Sequence, residues 1–196
     1  GVSVRTRPFM SDSEIWMPGL EAVPDPRAAS NVTYNPSFER LRAASSHLER
    51  TTEFGSPSYV SEVKSRSADR TRNAIDDDFT RSDWVVVQDA IEAVDSATRE
   101  FFCVDRMLGR HSEESYHCRL FVPREHARIA LAWAKLLEPA AGTDPDFVTI
   151  QLPDQDDVAI RVLSEEGLTV VMGSDYTGEA KKSFLRLFMH RVKQTG

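Results

Sequence analysis

The sequence predicts an α/β fold in which a mixed β-sheet is flanked by helices. Three observations carry it. Helical and strand-like segments alternate from Ser82 to Leu137, as crossover connections require. Three strand-like runs then follow one another from Phe147 to Met172 with only short polar turns between them, and an amphipathic helix closes the chain after Gly178.

Bulk properties bound the answer. At 196 residues, against roughly 150 per domain, the chain is one domain or a domain with an appendage. Its 40% hydrophobic and 28% charged content is ordinary globular composition, enough for a sizeable core. No apolar run is long enough to span a membrane and no apolar signal core opens the chain, so a cytoplasmic protein without a membrane partner is expected. A net charge of −7 argues against a nucleic-acid partner. Lysine occurs only at 64, 135, 181, 182 and 193, so the adjacent pair stands out. Cys103 and Cys118 lack CxxC spacing and read as buried small hydrophobes in a reducing compartment.

Residues 1–35 carry Pro8, Pro18, Pro24 and Pro26 and hold no period beyond one turn. An irregular surface segment is expected there, ahead of a domain over 36–196. Phe38, Leu41 and Leu48 mark a helix from Ser37 to about Arg50, opened by Pro36-Ser37. Gly55 to Lys64 reads as extended. Ser65 to Arg72 reads as a polar loop with Arg66, Arg70 and Arg72 close together, either a solvated patch or an oxyanion-binding loop using the guanidinium fork. The triplet Asp76, Asp77 and Asp78 reads as solvated surface or a helix-start signal, since no further ligand is spaced to join it.

A helix is expected from Ser82, as cap, to about Arg99, with Trp84, Val87, Ala90, Ile91 and Val94 on one face. Phe101 to Val104 and Tyr116 to Val122 read as buried strands, the second stopped by Pro123. The next helix runs from about Arg124 to Leu137, with His126, Ile129, Ala130, Trp133, Leu136 and Leu137 as its apolar stripe and Glu138-Pro139 as its stop. Phe147 to Leu152, Val158 to Leu163 and Gly167 to Met172 are three strands whose close succession predicts an antiparallel meander.

The stretch that carries chemistry follows the last strand. Gly173-Ser-Asp-Tyr-Thr-Gly178 is a turn-rich loop, and Ala180, Phe184, Leu187, Phe188 and Val192 recur as a helical stripe behind it. Glu179 suits the positive helix end. Lys181 and Lys182 do not, and each should cost about 0.3–1 kcal/mol in the first turn when exposed. Either solvent screens them, or an anion or metal-phosphate cluster at the helix N-terminus offsets them.

The order Gly-Ser-Asp-Tyr-Thr-Gly-Glu-Ala-Lys-Lys, between an apolar strand and an amphipathic helix, resembles the Tyr-x-Gly-Glu-x-Lys-Lys signature of ATP-dependent phosphoenolpyruvate carboxykinases. The GTP-dependent branch has extra residues between the glycines and the lysines, which this chain lacks. Ser65-Arg66-Ser67-Ala68-Asp69-Arg70 is similar to the family's Gly-Arg-Ser-Pro-Lys-Asp-Lys, one residue shorter and without the leading Gly and the Pro-Lys pair. Val104-Asp105, Gly109, Arg119 and Glu125 resemble the framework between the two motifs.

The resemblance implies the N-terminal, substrate-side domain of an enzyme that converts oxaloacetate and ATP to phosphoenolpyruvate, ADP and CO2 in gluconeogenesis. It implies that Arg66 holds a substrate carboxylate, that Tyr176 packs against departing CO2, and that Lys181 sits beside CO2 and the γ-phosphate. Lys182 would coordinate a transition metal, typically Mn2+, through an unprotonated amine, with Mg2+ accompanying ATP. A histidine and an aspartate further along the family's chain would complete the metal site. A Walker-type GxxxxGK[ST] is absent, as are HExxH and GxSxG, and the histidines at 47, 111, 117, 126 and 190 never pair at ligand spacing.

The chain begins without methionine and stops just after a helix, so a fragment, inactive alone, is the expectation. Two rivals stand beside it: a non-catalytic anion-binding or regulatory domain of the same fold, and a structural interaction domain. The coding sequence past Gly196 separates them. A GxxxxGK[ST] within several tens of codons is the expected finding, and a stop codon or unrelated sequence reduces the expectation to an anion-binding domain.

Overall fold

The computed structural model describes residues 17–51, 57–59, 67–109, 115–140 and 144–195. The first strand, β1 (Val32–Tyr34), falls at the end of the segment expected to be irregular. Ser37 then caps α1 (Phe38–Ser45), its hydroxyl accepting from the Arg40 N–H at 3.1 Å. That helix stops short of Arg50; β2 (Glu49–Thr51) and β3 (Pro57–Tyr59) follow as a separate antiparallel pair, and β4 (Thr71–Asn73) precedes α2 (Arg81–Asp95). The cap of α2 is Thr80 rather than Ser82. Thr80 is followed at the third helical position by Asp83, so hydroxyl and carboxylate satisfy each other's backbone N–H, whereas Ser82 has Val85 at that place. The helix ends at Asp95 instead of Arg99 because Ala97 turns left-handed, at φ 62°.

The strands β5 (Phe101–Leu108) and β6 (Tyr116–Pro123) lead into α3 (Ala127–Leu136) and the two-residue β7 (Glu138–Pro139). They are followed by β8 (Phe147–Leu152), β9 (Ala159–Leu163), β10 (Leu168–Met172) and α4 (Gly178–Thr195). The main sheet runs β1-β5-β6-β8-β10-β9-β4, with β7 pairing β5. This mixed sheet flanked by helices is the fold class expected from the sequence.

The expected meander is not there. The strand β10 lies between β8 and β9, parallel to the first and antiparallel to the second. Burial explains the order: all five residues of β10 are buried, whereas Ala159 and Arg161 of β9 are half-buried, so the strand without a polar face takes the interior place. The 153–158 connection must therefore cross the end of β10. Gly173 permits the crossing, with φ 74° and the Asp157 carbonyl oxygen 2.3 Å from where a Cβ would stand.

Alternation along the strands builds a core on each face. Phe102, Val104, Leu120, Val122 and Phe147 face α1, α3 and α4, with Trp133 stacked on Phe184 at 4.7 Å. Phe101, Cys103, Phe121, Ile150, Leu168 and Val170 face α2. Each fully buried Phe, Leu or Ile contributes about 1.5–3 kcal/mol before conformational entropy is set against it. Both cysteines are free and buried, as expected. Leu136, assigned to the stripe of α3, is instead 49% exposed, while Arg128 is buried.

A polar knot ties β1, β5 and β6 together. Asp105, wholly buried, accepts from Arg119 Nε and Nη2 at 3.0 and 2.9 Å and from the Tyr34 hydroxyl at 2.5 Å, and lies 2.6 Å from His117 Nε2. Burial pushes its carboxyl up, but the hydrogen bonds from His117, Arg119 and Tyr34 outweigh burial and hold it below the ordinary carboxylate range. Burial and the Asp105 contact push the Tyr34 phenol up to about 12. Asp105→Asn should lower stability by about 3–5 kcal/mol near neutral pH, because Arg119 becomes a buried charge without its counter-ion. The folded carboxyl lies below its unfolded value, so its contribution is complete above about pH 4 and is lost as pH falls further. Urea unfolding of both proteins checks this: their stabilities should converge in the acid window and differ most at neutral pH.

Candidate active site at the lysine loop

The sheet register decides which loops can meet. Met172 pairs with Leu152 and Ala159, and Thr71 with Ile160, so the C-terminal ends of β8 and β10 share one end of the sheet with the N-terminal ends of β9 and β4. The 173–177 loop leaves from this end. The Ser67–Arg70 turn, which precedes β4, reaches the same end, where the Arg70 carbonyl accepts from Arg161 Nη1 at 3.0 Å. Thus the register carries the two motif regions to one edge. Arg66 itself lies outside the described residues.

The loop is short and anchored. Gln151, on the α4 side of β8, donates from Nε2 to the carbonyls of Ser174 at 2.9 Å and Tyr176 at 3.2 Å. Arg128 reaches from α3 to Asp175, donating to its carbonyl at 2.6 Å and pairing with its carboxylate. The Glu179 N–H donates to the Tyr176 carbonyl at 3.1 Å as α4 begins. The Tyr176 ring folds back over Gly178, where a Cβ would stand 2.7 Å from the ring. Any side chain at 178 would displace the ring, which gives the motif glycine a steric reason.

Tyr176 and Lys182 come together. The Lys182 ammonium lies 5.5 Å from the centre of the Tyr176 ring, within cation–π range, and 3.4 Å from Glu179 Oε1. Tyr176 is 50% exposed and the Lys182 side chain 46%, so both are open to a ligand, as is Lys181. Because α4 starts at Gly178, the lysines are its fourth and fifth residues, and the misplaced charge expected of them is met partly from within. Glu179 is fully buried beside Lys182, with Oε2 unpartnered among the described residues. A buried carboxylate at a helix N-terminus is favoured by the helix dipole and reinforced by the neighbouring cation.

The other arginines are placed elsewhere. Arg72 Nε donates to Asp83 at 3.1 Å and Arg72 Nη2 to the Asp78 carbonyl at 2.7 Å, which binds β4 to α2. Arg70 is exposed. Arg119 pairs with Val148 and hence Leu168, so it lies four residues, about 13 Å of strand, from Met172, with its guanidinium held by Asp105. Substrate positioning at the lysine loop is therefore not open to Arg119. The sequence reading missed Arg128 and Gln151. Gln151 carried a signal, a polar residue at an inward position of an apolar strand; Arg128 carried none.

The model of the phosphoenolpyruvate carboxykinase family matches residues 30–196. A phosphoenolpyruvate carboxykinase (ATP) of Aeropyrum pernix is 33% identical over 170 residues, covering 85% of this chain and 33% of that protein. The chain thus spans about a third of the length of that relative. With the match running through the lysine loop and both of its neighbouring strands, the chain belongs to the phosphoenolpyruvate carboxykinase family.

Proposed function

We propose that this chain is the substrate-side part of an ATP-dependent phosphoenolpyruvate carboxykinase, acting in the cytoplasm on oxaloacetate and ATP to yield phosphoenolpyruvate, ADP and CO2. The observation that carries the reading is the grouping of Tyr176, Lys182 and Glu179 at an exposed helix start. Loss of CO2 from oxaloacetate leaves an enolate whose oxygen must be stabilised before it takes the γ-phosphoryl group. Lys181 and Lys182 bring positive charge to that place. Tyr176, its backbone fixed from below and its ring laid over Gly178, forms a wall beside the leaving CO2. Arg66 takes a carboxylate of the substrate with its planar fork.

A divalent ion fits this arrangement in part. Among the described residues no three His, Cys, Asp or Glu side chains gather as a metal site. This chain offers the Lys182 amine, with the buried Glu179 carboxylate behind it to add negative charge. Lys182 would hold Mn2+, with the other ligands and the nucleotide phosphates, accompanied by Mg2+, held by the two-thirds of the relative that this chain does not cover. The ion supplies Lewis-acid stabilisation of developing negative charge. The residues here fix where that charge can form.

In the intact protein, Lys182→Met should abolish Mn2+ binding while Lys193→Met retains it, read by electron paramagnetic resonance of free Mn2+. Turnover of oxaloacetate should fall about 10²–10³-fold in Lys182→Met. Equal Mn2+ affinity in the two variants would overturn the metal role and favour a metal-free anion site. Glu179→Gln removes the charge that holds Lys182 while keeping the shape, and should weaken Mn2+ binding about 10–100-fold, as loss of a group behind a ligand does. The same titration measures it.

A further inference from the structure

Resting on the carboxykinase reading, we propose that Arg128 and Gln151 are positioning residues for the reaction, holding the backbone that aims Tyr176 and the lysine pair. Three consecutive carbonyls, of Ser174, Asp175 and Tyr176, each accept from a side chain of another element: Gln151 of β8 for the outer two and Arg128 of α3 for the middle one. These residues lie between the left-handed Gly173 and the first turn of α4, where the Tyr176 carbonyl also accepts from the Glu179 N–H of α4, while among the described residues no strand or helix N–H reaches the carbonyls of Ser174 and Asp175. The clamp is therefore what defines the path of the loop.

Its location argues against stability as its purpose. Arg128 is 2% exposed and Asp175 1%, and the inward side of α3 is otherwise apolar, with Ile129, Ala130, Trp133 and Ala134 in the core. An ion pair buried there loses its hydration, and apolar replacements of similar size often leave a protein equally or more stable. What apolar side chains cannot do is fix a carbonyl. Arg128 binds both the carboxylate and the carbonyl of Asp175, so one guanidinium sets the side chain and the backbone at the same residue. Asp175 directly precedes Tyr176, and a shift of about 1 Å there can cost about 100-fold in rate.

The double substitution Arg128→Met with Asp175→Leu removes the pair without leaving a buried charge. In the intact protein the thermal midpoint should be unchanged or higher. Amides 174–179 should exchange with deuterium at least about tenfold faster while those of α3 and β8 keep their protection, and kcat should fall about 10–100-fold with the KM for ATP unchanged. Gln151→Met, which removes only the bonds to Ser174 and Tyr176, is the second variant and should speed exchange over the same residues. Loop exchange at the wild-type rate together with kcat within about twofold in both variants would overturn the proposal. Absence of oxaloacetate turnover in the wild-type protein would instead remove the carboxykinase reading, and loop exchange would still decide whether the clamp positions the loop.

Discussion

A strand buried on both faces has to sit inside the sheet, and this constraint on β10 organises the rest of the molecule. Placed between β8 and β9, it ends beneath the connection that crosses from one to the other, so the chain can leave only through a left-handed turn at Gly173. The loop that follows is short because α4 must return at once onto the sheet to bury Ala180, Phe184 and Leu187. The helix N-terminus, Tyr176 and the lysines are thereby held at one edge by packing several residues away.

The two buried polar systems use charge differently. At one end of the sheet, Asp105 gathers Tyr34, His117 and Arg119 from β1 and β6, and every partner lies within the sheet. It fastens a three-residue edge strand that has little apolar area of its own. At the other end, Gln151 donates to two carbonyls of one loop, and Arg128 binds the carbonyl and the carboxylate of the residue between them. The first joins elements that would otherwise separate; the second defines a backbone path that apolar packing leaves open. Arg119, which resembles the framework between the two family motifs, belongs to the first system.

Periodicity placed the long elements well, since amphipathic helices and strands buried on both faces write their burial directly into spacing. Helix boundaries are less legible: Ser82 stands directly before the apolar stripe of α2, but Thr80 is the residue with Asp83 at the reciprocal position. The order of β8, β10 and β9 was not legible from spacing, because a hairpin and a meander share the same short turns. Arg128 was not legible at all. On a helix buried nearly all round, a single arginine follows no stripe, and its partner lies 47 residues along the chain.

The sequence by itself determined the class of fold, the approximate places of its long helices and of the strands β5, β6, β8, β9 and β10, and the lysine motif, because these depend on near neighbours in the chain and on the fixed geometry of a strand, a turn and a helix. It also determined the family, since Tyr176, Gly178, Glu179, Lys181 and Lys182 stand in one short stretch. Tertiary structure alone decided the strand order, the burial of Glu179 behind Lys182, the removal of Arg119 and Arg72 to structural pairs, and the clamp beneath the loop. Each of these joins residues far apart in sequence, and the desolvation that makes such contacts costly or favourable exists only once the core has closed around them.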